Sequence, residues 1–540
     1  MQGLRASWAR RWDRGEAPTL LVLVLLYGMA LGVAPLFDVD EGAFAEASRH
    51  MLASGDWLHT MLLGEDRFDK PILVYWLQAA SLAVFGVNEF AVRLPSAVAV
   101  VLACAYFGRL AAARLGDQVG WRAAFILGTC PGLLLIGRAS TADGLLNALL
   151  IATALCLMGF IETGRTGPLR WAYLWCSLGL LTKGPVAVLV PGAALVIWSL
   201  TTDRLQTAWA AVRHLWGWLI LLAVAAPWYA YAYWRHGQAF LDGFILRHNV
   251  ERFTGTLEGH GGSWGYYAVL LPLMVLPWTP LLLKVLASAR WRWSEPLHRF
   301  LLVWVGFVFV FFSLSGTKLP HYILYCLPPL CLLMAIESTR VGAWGRLGMG
   351  LCAAAFLLPV AAIPLGADTM GHRIGDRWIR QLVQTAPAFG QVLTAAAMAA
   401  AVLILVHLRR SHDHWSRWSV SVAAVALAWV VVLVPWVGQA LQGPFKDMAQ
   451  WSREQQLRTV LWRMHQPSVA FYRAEVVPKR PPSPDEAALV RIDRLEHLPM
   501  GHTCVIREHR GLMWVVDPDG AEESPACLAG GFSQVEGTGR

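Results

Sequence analysis

Six short clusters of ionisable and aromatic residues interrupt an otherwise apolar chain. The first, FDVDEGAFAEASRHMLASGDW (37–57), sets Asp38, Asp40 and Glu41 within four positions. Carboxylates so placed can take up a proton or stabilise positive charge during group transfer. They can equally serve the N-terminus of a helix whose Phe44, Ala47, Met51 and Leu52 share one face, a role worth about 1 kcal/mol. The second, RFDKPILVYW (67–76), puts Asp69 and Lys70 just before Pro71. A lysine there is a compact point charge for a phosphate, or one that snorkels at a membrane edge. The third, GRASTADGLLN (137–147), offers Asp143 as a second acid or as a helix cap. The fourth, LTKGPV (181–186), isolates Lys183 between two apolar runs. The fifth, 235–263, holds His260 before two glycines, either a metal ligand or a solvated loop histidine. The sixth, SGTKLPHYILYCLPP (315–329), gathers Lys318, His321, Tyr322 and Tyr325. No HExxH, paired CxxC, Walker A or GxGxxG pattern occurs, which argues against a cytosolic nucleotide donor.

The elements that must position these clusters are membrane helices. Of 540 residues, 56% are hydrophobic and 15% charged, where a soluble chain carries about 25% charge. Mean hydropathy is +0.47. Apolar runs recur from Thr19 to Gln439. A disordered chain, a fibrous chain and an ordinary cytosolic enzyme are thereby excluded. The net charge of +9 shows no basic cluster with interleaved aromatics, so nucleic acid is not an expected partner. The excess Lys and Arg sits in short loops, where it sets topology, and 27 Trp suit two membrane interfaces.

The arginines between Arg5 and Arg14 keep the N-terminus cytoplasmic and send Thr19–Phe37 outward. A cleaved signal peptide is disfavoured, because the chain returns to the membrane many times. Residues 71–86 are short for a crossing, which needs about 20 residues. Read as an interfacial helix, they leave Arg109, Arg114 and Arg122 in the cytoplasm and make 38–93 one external loop, with an amphipathic helix over 43–54. The remaining runs lie near 94–113, 120–137, 144–162, 170–182, 185–200, 213–234, 264–288, 299–315, 319–337, 342–366, 391–408 and 418–438, making 13 crossings with basic cytoplasmic loops. All six clusters then face outside. The span centres hold almost no ionisable residues, which argues against a proton- or ion-coupled transporter.

Residues 1–441 therefore read as a transmembrane domain with external loops 38–93 and 235–263. Residues 442–540 read as a small α/β domain outside the membrane, with charge rising to about a quarter of its residues. Segments 468–473, 488–493, 502–508 and 512–517 have strand patterning. Seven of nine cysteines fall in apolar runs, and Cys504 and Cys527 in the outer domain are expected to bond in an oxidising compartment.

In order along the chain, DEGAFAEASRHMLASGDW, FDKPILVYW, RASTADGLL, LTKGP, GTKLPHYILYCLPP and QPSVAFYR resemble the bacterial polyprenyl-phosphate glycosyltransferases of GT-C type, in particular the aminoarabinose (4-amino-4-deoxy-L-arabinose) lipid A transferase family. The resemblance implies an all-α polytopic fold with periplasmic juxtamembrane helices and a C-terminal periplasmic domain, in the bacterial inner membrane. It implies sugar transfer from undecaprenyl phosphate to lipid A, as in the lipopolysaccharide modification that gives polymyxin resistance. A protein or another envelope glycan is the alternative acceptor, and a non-enzymatic transporter the more distant alternative. Asp40 and Asp143 would be catalytic carboxylates, with Glu41 beside them. Lys70, Lys183, Lys318, Arg49, His321, Tyr322 and Tyr325 would bind the lipid phosphate. A divalent metal, zinc or magnesium, would involve Asp69 and His260. Where the family has Glu-Lys-Pro this chain has Asp69-Lys70-Pro71, one methylene shorter at the would-be ligand.

The charge pattern makes a topological prediction. A reporter fused after Arg540 should be active on the periplasmic side and one fused after Arg290 on the cytoplasmic side. The same location for both would overturn the alternation.

Overall fold

The computed structural model describes residues 15–256, 261–370, 373–384, 397, 398, 400, 401, 414–483, 485–498 and 504–517. Helices dominate, and local sequence sets many of their ends. Helix Asp40–Ser54 is rich in alanine, carries two acids in its first turn and stops at Gly55, whose φ of 73° suits a residue without Cβ. Helix Leu73–Phe85 stops at Gly86 in the same way. Helix Glu89–Leu115 starts at Asn88, whose Oδ1 accepts the Ala91 N–H at 2.9 Å.

Six helices among the described residues are long and apolar enough to cross a membrane: Glu89–Leu115, Ala142–Thr163, Leu215–His236, Pro296–Leu314, Pro320–Ser338 and His414–Leu441. A seventh is the pair Asp117–Thr129 and Pro131–Gly137, bent by 66°. The shorter apolar helices include Glu16–Gly28, Leu73–Phe85 and Val186–Thr201. The expected 13 crossings thus outnumber the full-length apolar helices. Proline accounts for part of the difference, because it lacks the N–H that a continuous helix needs. The expected run 264–288 is two helices, Tyr266–Met274 and Thr279–Arg292, parted around Pro277. Residues 391–408 lie almost wholly outside the described residues. The first expected crossing is helical only over Glu16–Gly28, and the chain then turns before the 40–54 helix. Helix Ala142–Thr163 runs through the centre, with its whole apolar window buried.

Beyond the last apolar helix stand helices Gly443–Glu454 and Pro467–Arg473 and a four-stranded sheet. Its strands are β3 (Thr459–Leu461), β4 (Ala487–Arg491), β5 (Cys504–His509) and β6 (Leu512–Val516), in the order β3-β4-β6-β5. β3 runs parallel to β4 and the other pairs are antiparallel. The expected strand at 468–473 is a correction: these residues are helical, with Pro467 pre-set for the first helical position. β3 escaped notice because three residues carry almost no periodicity. Cys504 is disulfide-bonded, and Cys527 lies outside the described residues.

This C-terminal part shares its core with the 40–54 helix and the start of the 89–115 helix. Leu36, Ala45 and Val92 pack in one cluster with Phe445, Val469, Phe471 and Trp514. Polar ties join the same surfaces. Tyr472 Oη accepts the Leu36 N–H at 2.8 Å, and Ser468 N–H donates to Asp38 at 3.0 Å. Gly42 permits that second approach, since a Cβ there would stand 2.6 Å from Ser468 N.

One buried ion pair joins the ends of four segments. Arg93 Nε and Nη2 donate to Glu41 at 2.9 and 2.6 Å. Its remaining N–H groups reach the Leu31, Ala34 and Pro35 carbonyls at 3.0, 2.7 and 3.0 Å. All five guanidinium donors are used. Glu41 also accepts the Phe37 N–H at 2.9 Å and the Ser140 N–H at 2.7 Å. Burial opposes its ionisation, but Arg93 and these bonds outweigh that and hold its carboxyl below the usual range. Removing one partner of a buried pair strands the other. Arg93→Ala should therefore cost about 3–5 kcal/mol, seen as a large fall in thermal midpoint and in folded yield. A midpoint within a degree or two of wild type would show that the pair is not structural.

Candidate active site

The first polar cluster sorts into distinct jobs. Asp40, the first residue of the 40–54 helix, is exposed and makes no hydrogen bond or ion pair among the described residues. The helix is preceded by Val39 with no side-chain cap, and Asp40 caps nothing. Its neighbours are committed elsewhere. Glu41 is held by Arg93 and does not reach the cavity described below, which corrects its expected catalytic placement. Asp38 holds Ser468, and burial pushes its carboxyl up to about 7 against those bonds. Arg49, expected at the phosphate, is likewise committed elsewhere and does not line the cavity. It pairs with Glu46 at 2.7 Å and donates to the Ala474 carbonyl at 2.9 Å, fastening the 40–54 helix to the C-terminal part.

A cavity of about 420 Å³ opens beside the 181–186 turn. One wall is apolar: Val186, Leu189, Ile245, Phe253, Phe311 and Phe312. At one end Lys70, Lys183, His248 and Arg252 converge, with Tyr322 and Tyr325. Lys183 ends helix Thr166–Lys183 and is followed by Gly184 at φ 89°. A Cβ on Gly184 would stand 2.7 Å from the Phe244 ring, so the turn that presents Lys183 needs glycine twice over. Lys183 Nζ bonds Asp143 Oδ1, and lies 5.1 and 5.8 Å from the ring centroids of Tyr322 and Tyr325. Tyr325 Oη donates to the same Asp143 oxygen at 2.8 Å, and His321 Nε2 lies 3.6 Å from the other. Asp143 is thus a buried hub that aims Lys183. Asp40 lies within electrostatic reach of Lys183, His321, Tyr322 and Arg67.

Lys70 is half-buried. Burial pushes its ammonium down to about 8, with repulsion from Lys183, Arg252 and Arg67 adding to that and Asp69 opposing it. Asp69 is clamped by Arg67 at 3.1 Å and His248 at 2.6 Å. Burial would raise its pKa, but the His248 bond, Arg67 and Lys70 hold it well below the usual carboxylate range. Among the described residues Asp69 and His248 are two donor groups, one short of the three protein ligands of a catalytic zinc site. The other expected ligand, His260, lies outside the described residues. Lys318 is buried beside the cavity, its Nζ donating to the Ser315 carbonyl at 2.6 Å, and is not on the cavity wall.

His248 and Arg252 were not singled out by sequence. They belong to a π-helix, Leu241–Glu251, and the turn after it, in a loop where only His260 stood out. The available signal was the density of RHNVER in an external loop. The segment is strapped to the sixth cluster: Gly316 and Thr317 N–H donate to the Phe253 and Arg252 carbonyls at 2.7 and 3.2 Å, and Phe253 stacks on Phe311 at 4.7 Å. On the far side of Asp69 a second cavity, about 560 Å³, is lined by Arg67, Arg247, His248, His465 and Lys479.

An apolar trough that ends in three fixed cations can take an anionic head on a long hydrocarbon. The cations would stabilise charge developing on a leaving phosphate in a partly dry site.

Residues 69–231 match the dolichyl-phosphate-mannose-protein mannosyltransferase family. The undecaprenyl phosphate-alpha-4-amino-4-deoxy-L-arabinose arabinosyl transferase of Edwardsiella ictaluri is 31% identical over 443 residues, 77% of this chain and 75% of that protein. The protein of the same name from Shewanella sediminis is 29% identical over 360 residues, and the match spans 64% of each. The crystal structure of ArnT from Cupriavidus metallidurans bound to undecaprenyl phosphate superposes with a TM-score of 0.78 at 21% identity, covering 92% of this chain and 97% of that one, which establishes the fold.

The charge on Lys70 sets a pH dependence. Its ammonium is present below about pH 8 and is lost as pH rises through that value. Affinity for a lipid phosphate should therefore hold to about pH 7, then fall by up to about tenfold per pH unit above about pH 8. Lys70→Arg should move the fall upward, because guanidinium stays protonated. A profile identical in both proteins would remove Lys70 from the phosphate site.

Proposed function

We propose that this chain, which belongs to the undecaprenyl phosphate-alpha-4-amino-4-deoxy-L-arabinose arabinosyl transferase family, moves 4-amino-4-deoxy-L-arabinose from undecaprenyl phosphate to a lipid A phosphate at the outer face of the bacterial inner membrane. The carrying observation is the apolar cavity whose end brings together Lys70, Lys183 and Arg252 beside the uncommitted carboxylate of Asp40. The polyprenyl chain lies along Phe253, Phe311 and Phe312. The phosphate meets the three cations, which stabilise it as the sugar–phosphate bond breaks. Asp143 holds Lys183 in place through the shared oxygen with Tyr325. Asp40 faces the sugar, where it stabilises positive charge at the anomeric carbon or orients the attacking group.

The second cavity adjoins the first, since Asp69 and His248 border both, and it carries charge of both signs: Arg67, Arg247 and Lys479 with Glu65, Asp66 and Asp69. Its three bases offer contacts to an anionic acceptor. A phosphate acceptor is already ionised and needs little base assistance. The same reading keeps the N-terminus cytoplasmic and residues 442–540 as a periplasmic domain. Its 13 crossings need helices such as Glu16–Gly28 and Val186–Thr201, 13 and 16 residues long, to pass through the membrane as short segments within the bundle.

Asp40→Asn separates chemistry from folding. The residue is exposed and bonds nothing, so the protein should accumulate and unfold like wild type. Transfer should fall by about 10²–10⁴-fold, scored by mass spectrometry of lipid A from cells carrying each form. Near-normal modification by Asp40→Asn would sink the assignment of Asp40. Unmodified lipid A in cells with abundant wild-type protein would sink the acceptor.

A further inference from the structure

A second polar constellation stands in the external loop, apart from the cavity cations. His59 precedes the hairpin of β1 (Met61–Leu62) and β2 (Glu65–Asp66), Asp66 ends β2, and His236 ends helix Leu215–His236. Two distant stretches of sequence, the 59–66 hairpin and the end of the 215–236 helix, thus deliver two imidazoles and one carboxylate to a single point. Their ligand atoms all lie within 4.8 Å of one another. His59 Nε2 is 3.1 Å from Asp66 Oδ1, and His236 Nδ1 is 3.4 Å from Asp66 Oδ2. Both histidine side chains are only 11% exposed.

We propose that His59, Asp66 and His236 form a binding site for a divalent transition metal, zinc by preference. Zinc takes histidine nitrogen at 2.0–2.1 Å and carboxylate oxygen at 2.0–2.2 Å in a tetrahedron. That geometry spaces neighbouring donor atoms by about 3.3 Å; each histidine already stands 3.1–3.4 Å from one oxygen of Asp66, and a small shift would bring one donor from each residue onto a shared ion. A plain hydrogen-bonded cluster explains the arrangement less well. His59 Nε2 is buried and lacks a hydrogen-bond partner, although Asp66 Oδ1 is 3.1 Å away, so the contact has the distance of a bond without its alignment. Two donors directed at one shared ion produce that pattern. The histidine rings lie 4.7 Å apart at 34°, an approach that two protonated imidazoles would resist. The other nitrogen of His59, Nδ1, faces Asp56 Oδ2 at 4.0 Å, which gives the ligand an outer carboxylate. Three protein donors leave the fourth position of the tetrahedron to water.

The ion's work is positional. It pins the hairpin to the end of the 215–236 helix, beside the Trp228 Nε1 bond to the Leu58 carbonyl at 3.2 Å. Arg67 and Lys70 follow directly on that hairpin, and both line a small space together with His59 and His236. On the proposed function, the metal would therefore hold Lys70 in register from the edge of the second cavity, which Asp66 also lines.

The test uses full-length, tag-free protein in detergent, stripped with a chelator, re-exposed to zinc and measured by elemental mass spectrometry and zinc titration. Wild type should keep one zinc per chain through gel filtration. His59→Ala and His236→Ala should each weaken zinc binding at least about tenfold. Asp66→Asn, at a half-exposed position that keeps its shape, should do the same while unfolding like wild type. His248→Ala should keep its zinc. The proposal is overturned if wild type retains no stoichiometric zinc. It is overturned equally if zinc survives in the three variants, or leaves with His248→Ala, which would place the ion at Asp69 instead.

Discussion

A guanidinium that must satisfy all five of its donors inside the protein governs the geometry of the site. Arg93 cannot lose its proton and cannot reach water, so its surroundings have to supply acceptors in a fixed fork. The chain does so with three carbonyls from the turn after the first apolar helix and with both oxygens of Glu41. Glu41 in turn binds the Ser140 N–H three residues before Asp143. The turn, the start of the 40–54 helix, the 89–115 helix and the entry to the 142–163 helix are thereby held together. Asp40 is carried outward on the second of these, next to Glu41, which is held by Arg93. Two adjacent acids of similar chemistry thus have opposite fates, one buried and paired, the other exposed and available.

The cavity follows a second constraint, the cost of crowding cations where water is scarce. Lys70, Lys183 and Arg252 repel one another, and burial adds to the penalty on Lys70. Each is restrained by a neighbour: Lys183 by Asp143, Lys70 by its place beside Asp69, and Arg252 by the strap between its carbonyl and Thr317. The aromatic rings of Tyr322 and Tyr325 offer Lys183 a face of negative charge without bringing another carboxylate into the cavity. Such a site is held ready for an anion and gains most when the anion's charge grows, which is the demand of a leaving phosphate.

The C-terminal part is tied to this machinery through the 40–54 helix. Ser468 grips Asp38 and Ala474 takes the far side of Arg49, so both ends of the helix that bears Asp40 are fastened to the 467–473 helix. Apolar packing of Leu36, Ala45 and Val92 with Phe445 and Trp514 makes the joint part of a common core. Residues on both sides of the composition break near 442 thus pack in one cluster.

The sequence by itself determined that the chain is a bundle of membrane helices, because long apolar runs have no other stable home, and that the polar clusters lie at helix ends, because ionisable residues are too costly at the span centres. The DEGAFAEASRHMLASGDW, FDKPILVYW and GTKLPHYILYCLPP stretches were legible for the same reason, being polar groups where apolar ones are cheaper. It also placed Lys70, Lys183 and Asp143 among the candidates. What only the tertiary structure decided was partnership. No periodicity could say that Glu41 belongs to Arg93, 52 residues away, or that Arg49 serves Glu46 and Ala474. Helix length was hidden as well, since hydropathy counts apolar residues but not the breaks at Pro131 and Pro277. Arg252 and the His59–Asp66–His236 group stayed invisible because their meaning comes from distances across the fold. A sequence records which residues are costly to bury, and folding decides which of them meet.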